Sequence, residues 1–310
     1  MTAELMQNST SGRGDLPPAL PRPTQLLLAG KTKVGTMLSS LRWSHAVLGE
    51  KQAWAFRALS LHADSGLAPA AFAALLGCDD QTAAQNLDQL DALHLVTVGD
   101  NRIHMDLLTE VASQQLALEH DPETVRAHAT TRLLDWYHQL VRQVIDVVAP
   151  AVATPTDTST HRAAGNAYSF DEALTTLNRE GPGLAAVLRR TCGTHLAQAT
   201  AILRTLRAQV TQCATAETWV ETLGDLVLAA RRVEDFAAEA ETLLALARVH
   251  HQLGDNDWVH DCLYLALTIF RTRNDTVGAV ETRRDHAEPR AVTHHCPSTR
   301  TDAFLGTYGT

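Results

Sequence analysis

The first candidate for chemistry in this sequence is a glycine-lysine-threonine motif near its beginning. Gly30, Lys31 and Thr32 follow a short apolar run, as in the loops that wrap nucleotide phosphates. Such a loop needs another glycine at the position of Gln25, where backbone amides must turn around the phosphates. The chain then turns helical, without the strand and paired acids that would hold magnesium. We therefore expect no working phosphate loop.

Histidine and cysteine are the other residue types that could bind a metal or catalyse a reaction. The five cysteines are scattered and form no CxxC pair, so neither a zinc knuckle nor a disulfide framework is expected. His250 and His251 are neighbours on a predicted helix and face different ways. His294-His295-Cys296 lacks a fourth ligand at a regular spacing. Because no GxSxG, HExxH or paired-carboxylate pattern is present either, we expect no metal, cofactor or catalytic activity.

The composition of the chain favours helix over sheet. Of its 310 residues 45% are hydrophobic but only 5% are aromatic, and alanine and leucine dominate. The net charge of −9 argues against a surface that coats DNA. No apolar run approaches the ~20 residues of a membrane span. We expect a mainly all-α protein of the cytoplasm, a compartment that the scattered cysteines also fit.

The first third of the chain is predicted to form a compact helical unit. Apolar spacing predicts one helix near Glu50–Leu61 and a second that stops at Gly77. Asp79 or Asp80 is expected to cap a third helix. Its buried face is expected to consist of Leu87, Leu90 and Leu93.

A small wing follows these helices. The stretch LVTVGDNRIHM alternates around Gly99-Asp100-Asn101, which predicts two short strands and a turn. Asp106 is expected to cap the next helix. The order of these elements predicts a winged helix with a small β-wing.

Winged helices usually bind DNA through the third helix, but the charges here disfavour it. Between Asp79 and Leu93 there are four aspartates and no lysine or arginine, whereas phosphate contacts need cations. Gln81, Gln85 and Asn86 could hydrogen-bond bases, and Arg102 is a single cation in the wing. We prefer a packing or docking role, with DNA binding as the alternative.

A long helical spacer separates this unit from the rest. Asp121-Pro122-Glu123 starts a helix that is predicted to run to about Val148, and a Pro/Thr/Ala-rich linker follows. The predicted parts are a disordered or vestigial segment (1–37), the winged helix (38–120), the spacer (121–149), the linker (150–169), helical repeats (170–284) and a disordered tail (285–310).

Phe236–Thr272 is the stretch around which the predicted repeats are organised. It has apolar residues at helical spacing before and after Gly254, as in the 34-residue tetratricopeptide unit of two helices. An ordinary helical hairpin is the alternative. Upstream, DEALTTLNRE and GLAAVLRR are predicted as separate helices. The inner positions of the hairpin are expected to be Leu243, Leu246, Ala247, Leu263 and Ala266.

These pieces, in this order, closely resemble the carboxy-terminal half of STAND-class regulators. These are the NB-ARC ATPases of actinobacteria related to antibiotic regulatory proteins. The resemblance covers roughly Leu38 to Arg284. Four stretches carry it: SSLRWSHAVLGEKQAWAFRALSLHADSGLAPAAFAALLG, HLVTVGDNRIHMDLLTEVA, RLLDWYHQLV and FDEALTTLNREGPGLAAVLRR.

The resemblance implies a fold and a division of labour. In that family a nucleotide-binding domain holds ADP or ATP, the winged helix closes over it, and the repeats sense a partner. DNA binding usually belongs to a separate amino-terminal domain. The sequence before the winged helix is too short for a nucleotide-binding domain.

The family's Met-His-Asp nucleotide sensor corresponds to His104-Met105-Asp106. Met105 takes the place of the histidine, and His104 lies one residue away, on the other face of a strand. We therefore expect these three positions to be a degenerate sensor without a bound cofactor.

The first helix of each tetratricopeptide repeat lines the concave binding face. Arg248 with His251 and Gln252 could grip a carboxylate or a peptide backbone there, although solvated polar positions are the alternative. The partner-binding residues implied by the resemblance are Glu241, Leu244, Arg248, His251 and Gln252.

The sequence therefore predicts a non-enzymatic regulatory module that binds a protein or peptide partner, which includes a complete STAND regulator. The alternative is a transcription regulator that contacts DNA through the winged helix. A decayed gene product is a third hypothesis, because the helical pattern is lost after Arg284. An uncovered apolar helix end there predicts either a homodimer or limited solubility.

Overall fold

The computed structural model describes residues 33–62, 66–148, 168–212, 214–276, 278–280 and 282. Within these ranges the chain is mostly helical and its sheet has two strands, which confirms the prediction of a mainly all-α protein. Both the glycine-lysine-threonine motif and the histidine-cysteine run lie outside the described residues. The first elements are α1 (Lys33–Ala46), α2 (Glu50–Leu59), α3 (Pro69–Leu76), α4 (Asp80–Ala92), β1 (Thr97–Gly99), β2 (Arg102–His104) and α5 (Leu107–His120).

Local signals fix the ends of these helices as predicted. Gly77 ends α3 with a φ of 70°, a left-handed conformation that glycine adopts without steric cost. The Asp79 side chain accepts a hydrogen bond from the backbone N–H of Thr82 at 2.7 Å and so caps α4.

The two strands form an antiparallel hairpin. Thr97 pairs with His104 and Val98 with Ile103, and the two-residue loop Asp100-Asn101 has positive φ at both positions. Leu67 adds a third short contact, because its N–H and C=O both hydrogen-bond Ile103, at 2.9 and 2.8 Å. The chain between α2 and α3 is therefore held against β2.

The second half of the chain consists of helices in two interleaved sets. The long helix α6 packs against α7 and α8, while α8 in turn contacts α10. In the other set α7 contacts α9. The two sets are joined where α10 packs closely against its neighbours in the chain, α9 and α11. These elements are α6 (Glu123–Val148), α7 (Phe170–Thr191), α8 (Leu196–Leu206), a 3-10 helix (Arg207–Gln212), α9 (Ala216–Arg232), α10 (Phe236–Leu253) and α11 (Asn256–Thr272).

The hairpin of α10 and α11 turns at Gly254, as predicted. Gly254 has a φ of 76°, and the N–H groups of Gly254 and Asp255 bind the carbonyls of His251 and His250 at 3.1 and 3.0 Å. The predicted inner positions are all buried, namely Leu243, Leu246, Ala247, Leu263 and Ala266.

One helix replaces the two that were predicted before and after Gly181-Pro182-Gly183. A proline in a helix interior loses a hydrogen bond, and each glycine costs about 1 kcal/mol against alanine, so a break was expected there. The predicted break is wrong because α7 continues through these residues. Gly181 and Gly183 are buried, as is Leu184 beside them, and this packing outweighs the local preference.

The predicted buried face of α4 is wrong at one position. Leu87 and Leu90 are buried, but Leu93 is 43% exposed. The helix ends at Ala92, so Leu93 no longer follows the helical stripe. The next residue pair after the turn, Leu95 and Val96, enters the core instead.

Buried apolar side chains form a continuous core from Ala55 in α2 to Ala279 beyond α11. Trp219 of α9 is fully buried in it. Across the part of the chain that the structure describes, none of the helices combines the length and the apolar character that a bilayer crossing requires.

Candidate functional site

Three of the predicted partner-binding residues lie together at the carboxy-terminal end of α10. Arg248, His251 and Gln252 are spaced by three and four residues, so they share one face of the helix. Arg248 is half-buried, while His251 and Gln252 are exposed. The arrangement places an arginine, a histidine and a glutamine on one turn next to Gly254. We call these three residues the α10 terminal face.

Glu241 lies two turns earlier on α10 and is engaged within the molecule. One carboxylate oxygen accepts a hydrogen bond from Nη1 of Arg207 at 3.0 Å, and the other lies 3.5 Å from Nε of Arg204. These contacts join α10 to α8 and the 3-10 helix. Glu241 therefore positions the helix rather than offering a free carboxylate to a partner.

Leu244 does not belong to the exposed face, and its predicted contact with a partner is wrong. The side chain is fully buried. The reason is that α8 and the 3-10 helix pack against α10 as well as α9 and α11. The resemblance to tetratricopeptide repeats implies an exposed concave face on α10. Neighbouring helices cover that face around Leu244.

The ring of His250 fixes α10 to α11 behind the α10 terminal face. It stacks on the indole of Trp258, with ring centroids 5.3 Å apart and planes 11° from parallel. Burial lowers the pKa of His250, and the nearby Asp255 carboxylate opposes this only in part. His250 is buried and His251 exposed, so the prediction that they face different ways is confirmed.

The degenerate sensor positions form the connection between β2 and α5. Asp106 is the predicted cap of α5: Oδ1 accepts hydrogen bonds from the N–H groups of Leu108 and Thr109 at 2.9 and 3.0 Å. Its Oδ2 accepts from the Thr109 hydroxyl at 2.6 Å, so both oxygens already serve the helix. Met105 is half-buried against the core, and His104 is exposed.

A shallow pocket lies beside His104, between His62, Gly66 and Glu110. Its volume of about 30 Å³ has room for water. Pockets for ligands of drug or nucleotide size are at least about ten times larger. In this conformation the pocket is too small to hold a nucleotide.

Arg102 belongs to a buried ion pair that the sequence did not indicate. Its Nη1 donates to Oε1 of Glu180 in α7 at 2.5 Å, and its Nη2 donates to the carbonyl of Gly66 at 2.6 Å. Both partners of the ion pair are buried. The view of Arg102 as an available wing cation is therefore wrong, because Glu180 of α7 and the carbonyl of Gly66 hold this side chain in the interior.

Arg190 of α7 forms further polar contacts near the Arg102–Glu180 ion pair. We call these contacts together the polar junction. Arg190 donates to the carbonyls of Ser60 and His62 at 2.7 and 3.3 Å and lies 3.5 Å from the Glu110 carboxylate. The ring of His62 hydrogen-bonds the Tyr137 hydroxyl at 2.9 Å. Burial, reinforced by the Glu180 charge, raises the pKa of Tyr137. The junction thus joins the first half of the chain to α6 and α7.

The described side chains include no group of three or more His, Cys, Asp and Glu residues placed to hold a metal ion. Burial raises the pKa of the Cys262 thiol to about 12 and that of Cys192 above its usual range. Both thiols are therefore protonated near neutral pH and are poor nucleophiles.

The fold and these contacts define a mainly helical protein with a polar face at the end of α10 and a buried polar junction between its halves. Comparisons of the chain with models of protein families, with curated proteins and with solved structures found no match.

Proposed function

We propose that this chain is a non-enzymatic regulatory module that binds a protein or peptide partner through tetratricopeptide-like helices. The observation that carries the proposal is the packing of α6 to α11. Alternate helices contact one another in two sets, and α10 and α11 form a tight hairpin around Gly254. This pattern is expected where helix pairs stack side by side.

The first half supports the same assignment. From α2 onward its order is helix, a short strand contact at Leu67, two helices and a hairpin, which is the order of a winged helix. A winged helix followed by stacked helix pairs is the arrangement that the resemblance to the arm of STAND regulators implies. In this proposal the winged helix docks on the repeats through the polar junction.

The partner best suited to the α10 terminal face carries a carboxylate. A guanidinium binds carboxylates through paired, charge-assisted hydrogen bonds, and the exposed His251 and Gln252 can add donors beside Arg248. The carboxy-terminal end of a helix does not itself attract an anion, so the side chains must supply the attraction. An acidic peptide segment or a chain terminus fits this chemistry.

A random peptide library displayed on phage tests the proposal. We expect the full chain to enrich peptides with Asp, Glu or a free carboxylate, and Arg248→Glu to lose this enrichment. Arg271→Glu, at an exposed position of α11, is the matched control and should behave like the unchanged protein. Equal enrichment of the same peptides by Arg248→Glu would count against this face.

DNA binding through the winged helix is the second candidate function, and the topology favours it. Two observations oppose it: α4 exposes Asp80, Asp88 and Asp91 without any lysine or arginine, and Arg102 is buried in its ion pair. We expect no change in the anisotropy of labelled duplex DNA at low salt. Binding that weakens steeply with salt would make this the better assignment.

A further inference from the structure

We propose that the first half of α7, residues 170–180, is a hinged flap over α6 that the Arg102–Glu180 ion pair latches shut. The hinge is Gly181-Pro182-Gly183. The device concerns the junction between the two halves of the chain and does not depend on the partner proposed above. Four features of the structure lead to it: a weak point in the helix, different polar contacts on either side, a buried ion pair and an incompletely bonded carboxylate.

The weak point lies in the middle of α7. Pro182 has no N–H, so the carbonyl of Asn178 lacks its intrahelical hydrogen bond. Glycines on both sides of the proline add conformational freedom. Sharp bends in helices occur at proline and at such small-residue pairs. We attribute the continuity of the helix at this point to its packing against neighbouring helices.

The two halves of α7 both border α6, since Leu184 lines the same cavity as Leu177, but their polar contacts differ. In the first half Leu177 and Glu180 face Tyr137 and Leu140 of α6 across a cavity of about 10 Å³. This half therefore covers α6, and its buried charged contact runs through Glu180 to β2.

The second half is anchored by a separate set of contacts. Arg189 donates to Glu221 of α9 at 2.6 Å, and the hydroxyl of Thr222 donates to the carbonyl of Ala185 at 3.4 Å. Arg190 binds the carbonyl of Ser60. A bend at Pro182 can therefore move the first half while α9 and the α2–α3 connection keep the second half in place.

The latch is an ion pair of opposite charges, but one oxygen of its carboxylate makes no hydrogen bond. Oε1 of Glu180 accepts from Arg102 at 2.5 Å and from Nε of Arg179 at 3.3 Å. Oε2 of the same carboxylate is buried without a hydrogen-bond partner, and Glu180 as a whole is only 4% exposed. A buried acceptor without a partner destabilises the closed form, and water can satisfy it when the flap opens.

The closed flap also buries apolar surface, which keeps the open form a minor state. Ala173 and Leu177 of the flap are buried, as are Val141 and Val144 of α6 beneath it. Opening uncovers this strip together with Tyr137. A change that weakens the latch or stiffens the hinge should shift the balance between the two forms without altering the rest of the fold.

Hydrogen exchange followed by mass spectrometry on the full chain measures this directly. We expect Pro182→Ala, which restores the missing N–H, to slow amide exchange in residues 170–180 about threefold or more. We expect Glu180→Gln to speed exchange there about tenfold while residues 183–191 and α10 stay within about twofold. Pro69→Ala, at the first turn of α3, is the matched control and should leave α7 unchanged.

Two outcomes would contradict the proposal that residues 170–180 form a hinged flap. One is equal acceleration of both halves of α7 in Glu180→Gln, since the helix would then loosen as a unit. The other is no slowing of residues 170–180 in Pro182→Ala beyond the Pro69→Ala control. The second comparison needs only well-folded proteins, so it decides the matter even if Glu180→Gln does not fold.

Discussion

At the scale of single residues, the buried ion pair between Arg102 and Glu180 connects the two halves of the chain. Arg102→Met leaves a buried carboxylate without its cation, and we expect the free energy of unfolding to fall by about 3–5 kcal/mol. Replacing both residues by methionine removes the unpaired charge, so the double variant should lose less than either single one. Urea unfolding of the four proteins forms a double-mutant cycle. Losses that simply add would show that the pair is not coupled.

His250 gives the free energy of unfolding a dependence on pH. Burial lowers its pKa, so below its usual range near 6.5 the unfolded chain binds the proton more readily than the folded one. The stabilisation is present above that range and is lost as the pH falls through the lowered pKa. We expect His250→Gln to lose less stability than the unchanged protein between about pH 7 and 5, measured by urea unfolding.

His251→Gln is the control for this measurement. His251 is exposed at the next position, so this variant makes the same substitution without removing a buried imidazole. His45 and His138 also have lowered pKa values through burial, so a smaller slope remains in His250→Gln. Identical slopes for the two glutamine variants would contradict the assignment to His250.

The residues that the sequence could place are those whose partners are close in the chain. Asp79 and Asp106 cap helices through amides two or three residues away, and Gly254 sets its own turn. Arg102 could not be placed, because its partner Glu180 is 78 residues distant. The α10 terminal face came from the resemblance to tetratricopeptide repeats, and that resemblance could not show that neighbouring helices bury Leu244.

At the scale of elements, the turn between α10 and α11 requires a left-handed residue. A Cβ added at Gly254 would meet nothing within 4 Å, so Gly254→Ala isolates the cost of the positive φ. We expect a loss of about 1–2 kcal/mol in the free energy of unfolding. Gly193→Ala, where a Cβ also meets nothing and φ is not positive, should stay within about 0.5 kcal/mol. Equal losses for the two variants would contradict this account of the turn.

Helix α7 shows where reasoning from local preference stops. Gly181-Pro182-Gly183 is a strong local signal for a break, and the predicted boundary followed it. The helix continues because Leu184, Val187 and Leu188 are buried on the side that faces its neighbours. Intrinsic propensity is a weak guide when tertiary packing opposes it. The same conflict between local and tertiary preference is what makes this site a candidate hinge.

At the scale of the whole molecule, the continuous core couples the first half of the chain to the helices of the second half. Trp54 of α2 and Trp219 of α9 both contact this core. We expect single-tryptophan variants that retain one or the other to unfold in urea with the same midpoint. The measurement is tryptophan fluorescence across the transition. Two separate midpoints would show that the halves unfold independently.

We propose that the α10 terminal face binds a carboxylate-bearing partner. The most direct test is a titration of a fluorescent peptide, selected from the random library by the full chain, against three proteins. We predict that Arg248→Glu raises the dissociation constant about tenfold or more. The dissociation constant of Arg271→Glu should stay within about twofold of that of the unchanged protein. Equal affinities for all three proteins would contradict the account and place the binding surface elsewhere.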